Sequence, residues 1–193
     1  AAKYGIMLPD WLKEGDKIAP IITPTTKDEE DRPLSEAEII ESGLATAEQW
    51  QYMREKALEL FEFGQKKAAQ HGMILVDTKY EMGKDKDGNI LLIDEIHTPD
   101  SSRYWIGDSY EGLIANNKEP QNIDKEFLRL WFVDNCDPYN DKILPQAPDE
   151  LVVELSSRYI YLYETITGSI FPFPDKGRAI TERIKENLKD YIK

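Results

Sequence analysis

The sequence predicts an α+β fold: one α/β domain with a central antiparallel sheet flanked by helices. Three observations carry that prediction. Met73 to Met82 alternates in polarity, and the apolar run Ile90 to Ile96 follows it after Asp87-Gly88, as in two strands joined by a tight turn. A stretch of helical periodicity from Thr46 to about Gln70 runs straight into the first of these strands. Three more helical stretches follow, over residues 124–133, 149–167 and 177–193. A strand entered directly from a long helix belongs in a sheet with covered faces.

At 193 residues the chain makes one domain, or one with a small extension. We divide it into an extended, Pro-punctuated lead over 1–34 and an α/β domain over 35–193. The formal net charge is −13, which disfavours a nucleic-acid or anionic-membrane surface. An acidic chain can still hold anionic substrates where basic side chains converge or a metal bridges the charges. The single cysteine, Cys136, excludes an intramolecular disulfide and points to a reducing compartment. With no apolar run of membrane length and no signal peptide, a cytoplasmic protein is expected. His71 and His97, with one cysteine, make no zinc pattern.

In the lead, Pro20, Pro24 and Pro33 punctuate IAPIITPTTKDEEDRP, which should hug a surface. Lys27 stands there among Thr25, Thr26 and Asp28, either as a solvated loop lysine or as an anion ligand. Ser35 and Glu38 form a capping-box pattern that opens a short helix ended by Gly43. Thr46 caps the long helix, with Leu58, Phe61 and Ala68 near one face and Met53, Ala57 and Leu60 beside it. His71-Gly72 stops it.

In the hairpin, period-two alternation puts Ile74, Val76, Thr78, Tyr80 and Met82 on one face and Asp77, Lys79 and Glu81 on the other. With Asp87-Gly88 as a two-residue turn, Lys86 pairs with Asn89 and Glu81 lies across from Asp94. Opposed carboxylates repel by roughly 0.2–1 kcal/mol. A cation removes that cost, and Mg²⁺ takes one or two carboxylates together with substrate phosphates. Two readings stand: a Mg-nucleotide site with Lys79 on a phosphate, or an exposed strand face whose acids pair with Lys79 and Lys84. The loop Thr98 to Arg103 supplies Asp100, Ser101, Ser102 and the Arg103 guanidinium, either as a phosphate site or as a polar turn.

Gly107 to Gln121 reads as a loop. The helix over 124–133 is capped by Asn122 or Asp124; Lys125 and Arg129 share one of its faces, as a surface pair or as a basic clamp. The helix over 149–167 has Val152, Leu155, Tyr159 and Leu162 on its apolar side and stops at Gly168. Ile180, Ile184, Leu188 and Ile192 are at helical spacing in the last one.

The pattern LVDTKYEMG, then LLIDEIHTPDSSRYW, resembles the SAICAR synthetases in order and spacing. Ile22 to Lys27, Asp124 to Arg129 and the helix around Glu154 to Thr167 also look like family segments, so the resemblance covers essentially the whole chain. It implies a SAICAR synthase-like fold, related to the ATP-grasp and kinase folds. It also implies an ATP-dependent ligase of de novo purine synthesis, joining L-aspartate to the carboxylate of carboxyaminoimidazole ribonucleotide (CAIR) through an acyl phosphate. ATP and Mg²⁺ are the implied cofactors, with small-molecule partners only. A monomer is expected, or association with a missing N-terminal portion. The catalytic work falls to Lys79, Glu81 and Asp94, with Glu81 and Asp94 as metal and nucleotide carboxylates. Arg103, with Ser101 and Ser102, matches the ribonucleotide phosphate position, and Asp100 would orient Arg103. Lys27, Lys125 and Arg129 are further candidates for substrate anions.

Two departures accompany the resemblance. The β-rich nucleotide-covering domain with which family members begin is not found, so the sequence corresponds to the last two-thirds of the enzyme and is expected to be inactive alone. Where family members often carry His-Asp, Glu30-Asp31 stands one residue short, leaving Asp31 without a matched role. The competing readings are an inositol-phosphate-kinase-like phosphotransferase and a non-catalytic folded fragment.

Overall fold

Two capping boxes set where the chain first becomes helical. The Ser35 hydroxyl accepts the Glu38 N–H (3.3 Å) while the Glu38 carboxylate accepts the Ser35 N–H (2.7 Å). Thr46 and Gln49 repeat the exchange at 3.2 and 3.1 Å. Each box satisfies N–H groups that the first helical turn leaves without partners. In the computed structural model, which describes residues 4–28, 31–123, 125–174 and 176–191, the order is α1 (Glu36–Glu41), α2 (Ala47–Ala69), β1 (Met73–Thr78), β2 (Met82–Lys84), β3 (Ile90–Leu92), β4 (Ser102–Ile106), α3 (Gly107–Ala115), β5 (Asn122–Ile123), α4 (Glu126–Asn135), α5 (Asp149–Thr167) and α6 (Ile180–Asn187).

The main sheet is antiparallel, in the order β1-β4-β5. Ala68 of α2, Met73 and Leu75 of β1, Tyr104 of β4, Ile123 of β5 and Leu162 of α5 form its core. A second cluster, Leu34, Ile39, Ala45 and Trp50, is joined by Ile22 and Met53, so the Pro-punctuated lead does pack against α1 and α2. Among the described residues no helix is long and apolar enough to cross a membrane.

The strand expected over Met73 to Met82 is two strands with a break between. β1 also carries a bulge: Leu75 pairs with Tyr104, but Asp77 pairs with Arg103. Val76 is the extra residue, and an extra residue reverses the alternation. Before the bulge the odd residues Met73 and Leu75 face the core; after it Thr78 does, opposite buried Ser102. Asp77 is thereby turned to the exposed face beside Arg103.

The hairpin register differs from the expectation by one residue. Met82 pairs with Leu92 and Lys84 with Ile90, and Ile93 N–H donates to the Glu81 carbonyl at 3.0 Å, so Ile93, not Asp94, lies across from Glu81. The cause is the turn. Asp85 N–H donates to the Asn89 carbonyl, leaving a loop of Lys86, Asp87 and Gly88 with Gly88 at φ +85°. The Asp85 carboxylate accepts the N–H groups of Asp87 (2.9 Å) and Asn89 (2.8 Å), which selects the longer loop. β3 ends at Leu92, and Leu91 and Ile93 are exposed because β2-β3 stands apart from the main sheet rather than being covered on both faces.

Residues 107–115 are helical rather than loop. Gly107 is there for closeness: its N–H donates to the Gly72 carbonyl at 2.8 Å, and a β-carbon would sit 2.8 Å from that oxygen. α4 starts at Glu126 with Lys125 as its cap position; Asp124, the alternative cap, lies outside the described residues, as do Glu30 and Ile192. α5 and its stop at Gly168 match the expectation, although Val152 is exposed. α6 is shorter than expected and leaves Ile180 and Ile184 largely exposed.

Gly64 lets α2 approach the segment after β3. A β-carbon there would meet the His97 ring (Nδ1 at 2.8 Å) and Leu75 Cδ2 (2.7 Å). Gly64→Ala should therefore destabilise the fold by about 1–3 kcal/mol from overpacking, outweighing a helix-propensity gain of about 1 kcal/mol. Urea unfolding measures this, and a stabilised variant would contradict the packing described.

Candidate active site

The exposed face of β1 and β4 gathers charge because the bulge aims Asp77 outward and the pairing continues past it: Lys79 N–H donates to the Ser101 carbonyl at 3.0 Å. The lead folds back over this end. Thr25 bridges Pro33, Thr26 N–H donates to the Arg32 carbonyl and Leu34 N–H to the Pro24 carbonyl, both at 2.9 Å. That small lobe brings Lys27 to Glu81 (2.5 Å) and Asp31 to Lys79 (3.2 Å), while Lys79 also reaches Glu81 at 3.1 Å.

The result is an alternating cluster of two ammonium groups and two carboxylates. Lys27, then Lys79, hold the Glu81 carboxyl below its ordinary pKa, and the Lys79 ammonium is raised by Glu81 and then by Asp31. Asp31, whose position in the sequence matched nothing, is thus part of the group. Asp94 sits one residue beyond the Glu81 pairing, in a bend, exposed, with its carboxylate accepting the Glu95 N–H at 2.9 Å. The repulsion between directly opposed carboxylates, on which the metal argument rested, does not arise in this register.

The loop before β4 is shaped by Thr98. Its hydroxyl accepts the N–H groups of Asp100 and Ser101, both at 3.3 Å, and donates to the Glu95 carboxylate. Ser101 is half-buried and hydroxyl-side, 3.4 Å from Thr98 Oγ1. Ser102 is buried, its hydroxyl sharing a 2.8 Å hydrogen bond with Thr78 beneath the sheet. Asp100 pairs with Lys125, which lowers its carboxyl pKa, and accepts the Tyr159 hydroxyl at 3.4 Å. Asp77 faces Arg103 across the strand pair, at 3.8 Å from its Nε.

Lys125 and Arg129 each have a carboxylate partner. Lys125 is committed to Asp100, and Arg129 is held by both Glu126 oxygens at 2.8 and 2.5 Å. Asp77, Asp31 and Tyr159 are the neighbours that sequence reasoning missed. Asp77 had a visible signal, its place on the charged stripe. Tyr159 had none that separates it from a core aromatic.

Comparison with known proteins follows the same residues. A family model described as SAICAR synthetase matches residues 2–146. The phosphoribosylaminoimidazole-succinocarboxamide synthase of Legionella pneumophila (strain Lens) is 54% identical over 190 residues, 97% of this chain and 61% of the relative. A chloroplastic synthase of the same description from Arabidopsis thaliana is 56% identical over 190 residues, 97% of this chain and 46% of its own length. Among solved structures, the SAICAR synthase of Saccharomyces cerevisiae complexed with SAICAR aligns with a TM-score of 0.70 at 36% identity, covering 88% of this chain and 54% of that one. A type 2 SAICAR synthetase in complex with ADP aligns at 0.62 and 28% identity, over 84% of this chain and 57% of that one. The chain thus spans 46–61% of the length of these two curated relatives.

The Lys27–Glu81 contact has a measurable consequence. The depressed Glu81 pKa contributes stability above the unfolded carboxyl value of about 4.3, and that contribution is lost as pH falls through the lower folded value. Lys27→Met should move the Glu81 titration upward, towards the ordinary range, when followed by carboxyl-carbon NMR. An unmoved titration would remove Lys27 from the site.

Proposed function

The chain belongs to the SAICAR synthetase family, and from that premise we propose that it forms the wall of an ATP-dependent C–N ligase on which nucleotide and ribonucleotide phosphates are held side by side. The reaction joins L-aspartate to CAIR, giving SAICAR, ADP and phosphate. The observation that carries this reading is the shared exposed face of β1 and β4. Lys79 and Glu81 follow β1, and Arg103 lies opposite Asp77 on β4. The complexes of two structural relatives, one with SAICAR and one with ADP, support it.

The charges suit an exchange of partners. Lys27 and Lys79 are now neutralised by Glu81 and Asp31. A polyphosphate takes their place on the lysines and frees the carboxylates. Glu81 and Asp94 offer the hard oxygen donors that Mg²⁺ takes in ones and twos beside phosphates, so the donor set fits that ion. Held by Glu81 and Asp94, Mg²⁺ would supply screening of the phosphate charge. Arg103 leaves its long contact with Asp77 to take the ribonucleotide phosphate, for which a planar guanidinium is suited. Ser101 lies beside it, while Ser102 supports the loop from below. The Lys125–Asp100 pair and Arg129 line the same side and serve the remaining substrate anions.

The chemistry then has two steps. The CAIR carboxylate oxygen attacks the γ-phosphorus, forming a C–O–P bond as ADP leaves. The aspartate amine attacks the acyl carbon, forming the C–N bond; phosphate leaves and the amine loses a proton. Local cations make this possible on a chain of net charge −13. We place the reaction in the cytoplasm, with small molecules as the partners; the Arabidopsis relative carries a chloroplast designation.

The test uses the chain joined to the portion of the Legionella relative that it does not span. ATP should be consumed only when CAIR and aspartate are both present, and Arg103→Ala should raise the CAIR KM by about tenfold to a hundredfold, as expected for losing a charge-assisted contact worth roughly 1.5–3 kcal/mol. ATP consumption driven by an inositol phosphate would sink the reading, and an unchanged KM would place the ribonucleotide phosphate elsewhere.

A further inference from the structure

We propose that His97 is a positioning residue that joins the nucleotide side of the site to its ribonucleotide side; this rests on the assignment of those two sides above. Its ring Nε2 and the Tyr80 hydroxyl are 2.5 Å apart, and its carbonyl accepts the Tyr104 hydroxyl at 2.8 Å. Tyr80 lies between Lys79 and Glu81. Tyr104 directly follows Arg103. One residue is thus tied by hydrogen bonds to the immediate neighbours of both phosphate-facing groups.

The backbone and packing point the same way. His97 has φ +57°, in the left-handed region that β-carbons disfavour. Such a conformation costs of order 1–3 kcal/mol and persists where the surroundings over-determine it. Here the ring meets Tyr80 edge-on at 5.6 Å between centroids, and Gly64 leaves room for it against α2. The turn at His97 sets the direction in which the chain passes from Asp94 to Asp100. Burial lowers the His97 pKa and raises that of Tyr80, so both groups stay neutral at pH 7 and share a hydrogen bond rather than a charge. A ring that only filled space would need no bond to the Tyr80 hydroxyl, while the bond from Tyr104 fixes the backbone at the same residue.

The experiment reads the two ties separately, in the chain joined to the Legionella portion. Tyr80→Phe deletes one hydroxyl and keeps the ring; Tyr104→Phe does the same on the other side; His97→Asn tolerates the left-handed backbone and cannot reach Tyr80. Tyr80→Phe should raise the ATP KM, and the ADP Kd by calorimetry, about tenfold, with the CAIR KM within about twofold. Tyr104→Phe should give the reverse split. His97→Asn should match Tyr80→Phe on the nucleotide side, and the double variant should be no worse than either single one. A uniform fall in kcat that follows the folded fraction, with no KM split and additive effects, would overturn the proposal and leave His97 a packing residue. Absence of any CAIR-dependent turnover in the unsubstituted protein would instead count against the functional assignment, and the ADP Kd series would still decide the Tyr80 tie.

Discussion

The pairing of β1 with β4, with its bulge at Val76, is the constraint on which the site depends. Without the extra residue, the alternation that buries Met73 and Leu75 would bury Asp77 as well. With it, a strand that starts as core ends as a charged edge within six residues. The apolar half is anchored by α2 and α5 through Ala68 and Leu162, and the polar half is left to chemistry. Asp77 and Arg103 are held on the paired strands themselves, and Lys79 and Glu81 lie in the short break between β1 and β2 that the same pairing anchors.

Electrostatic balance is the second theme. A strongly acidic chain holds these cations of the candidate site against carboxylates: Lys27 and Lys79 with Glu81, Lys125 with Asp100, Arg129 with Glu126. These pairs are exposed enough to add little stability each. They keep the cations placed, and under the proposed function they are the contacts that substrate phosphates replace.

Much of this was legible in the residues. Ser35, Thr46 and Gly168 marked helix limits by their own chemistry, and the motifs between Leu75 and Trp105 carried the resemblance to the SAICAR synthetases. The turn was not legible, because Asp87-Gly88 suits a two-residue loop as well as it closes a three-residue one. The Asp85 carboxylate decides between them through contacts that no pattern displays. The bulge was hidden for the same reason: Val76 is as good a strand residue in the ladder as out of it. α3 was missed because residues 107–121 read as a loop, and the close backbone approach that Gly107 serves is displayed by no local pattern. Partners such as Asp31 for Lys79 and Tyr159 for Asp100 are separated by 48 and 59 residues, beyond any local rule.

The central claim is that one face of β1 and β4 holds both phosphates. A crystal structure of the completed protein with Mg-ADP and CAIR measures it most directly. The expected result has the nucleotide phosphates on Lys79, the metal on Glu81 and Asp94, and Arg103 turned from Asp77 to the ribonucleotide phosphate. A ribonucleotide phosphate bound between Lys125 and Arg129, with Arg103 still on Asp77, would contradict it.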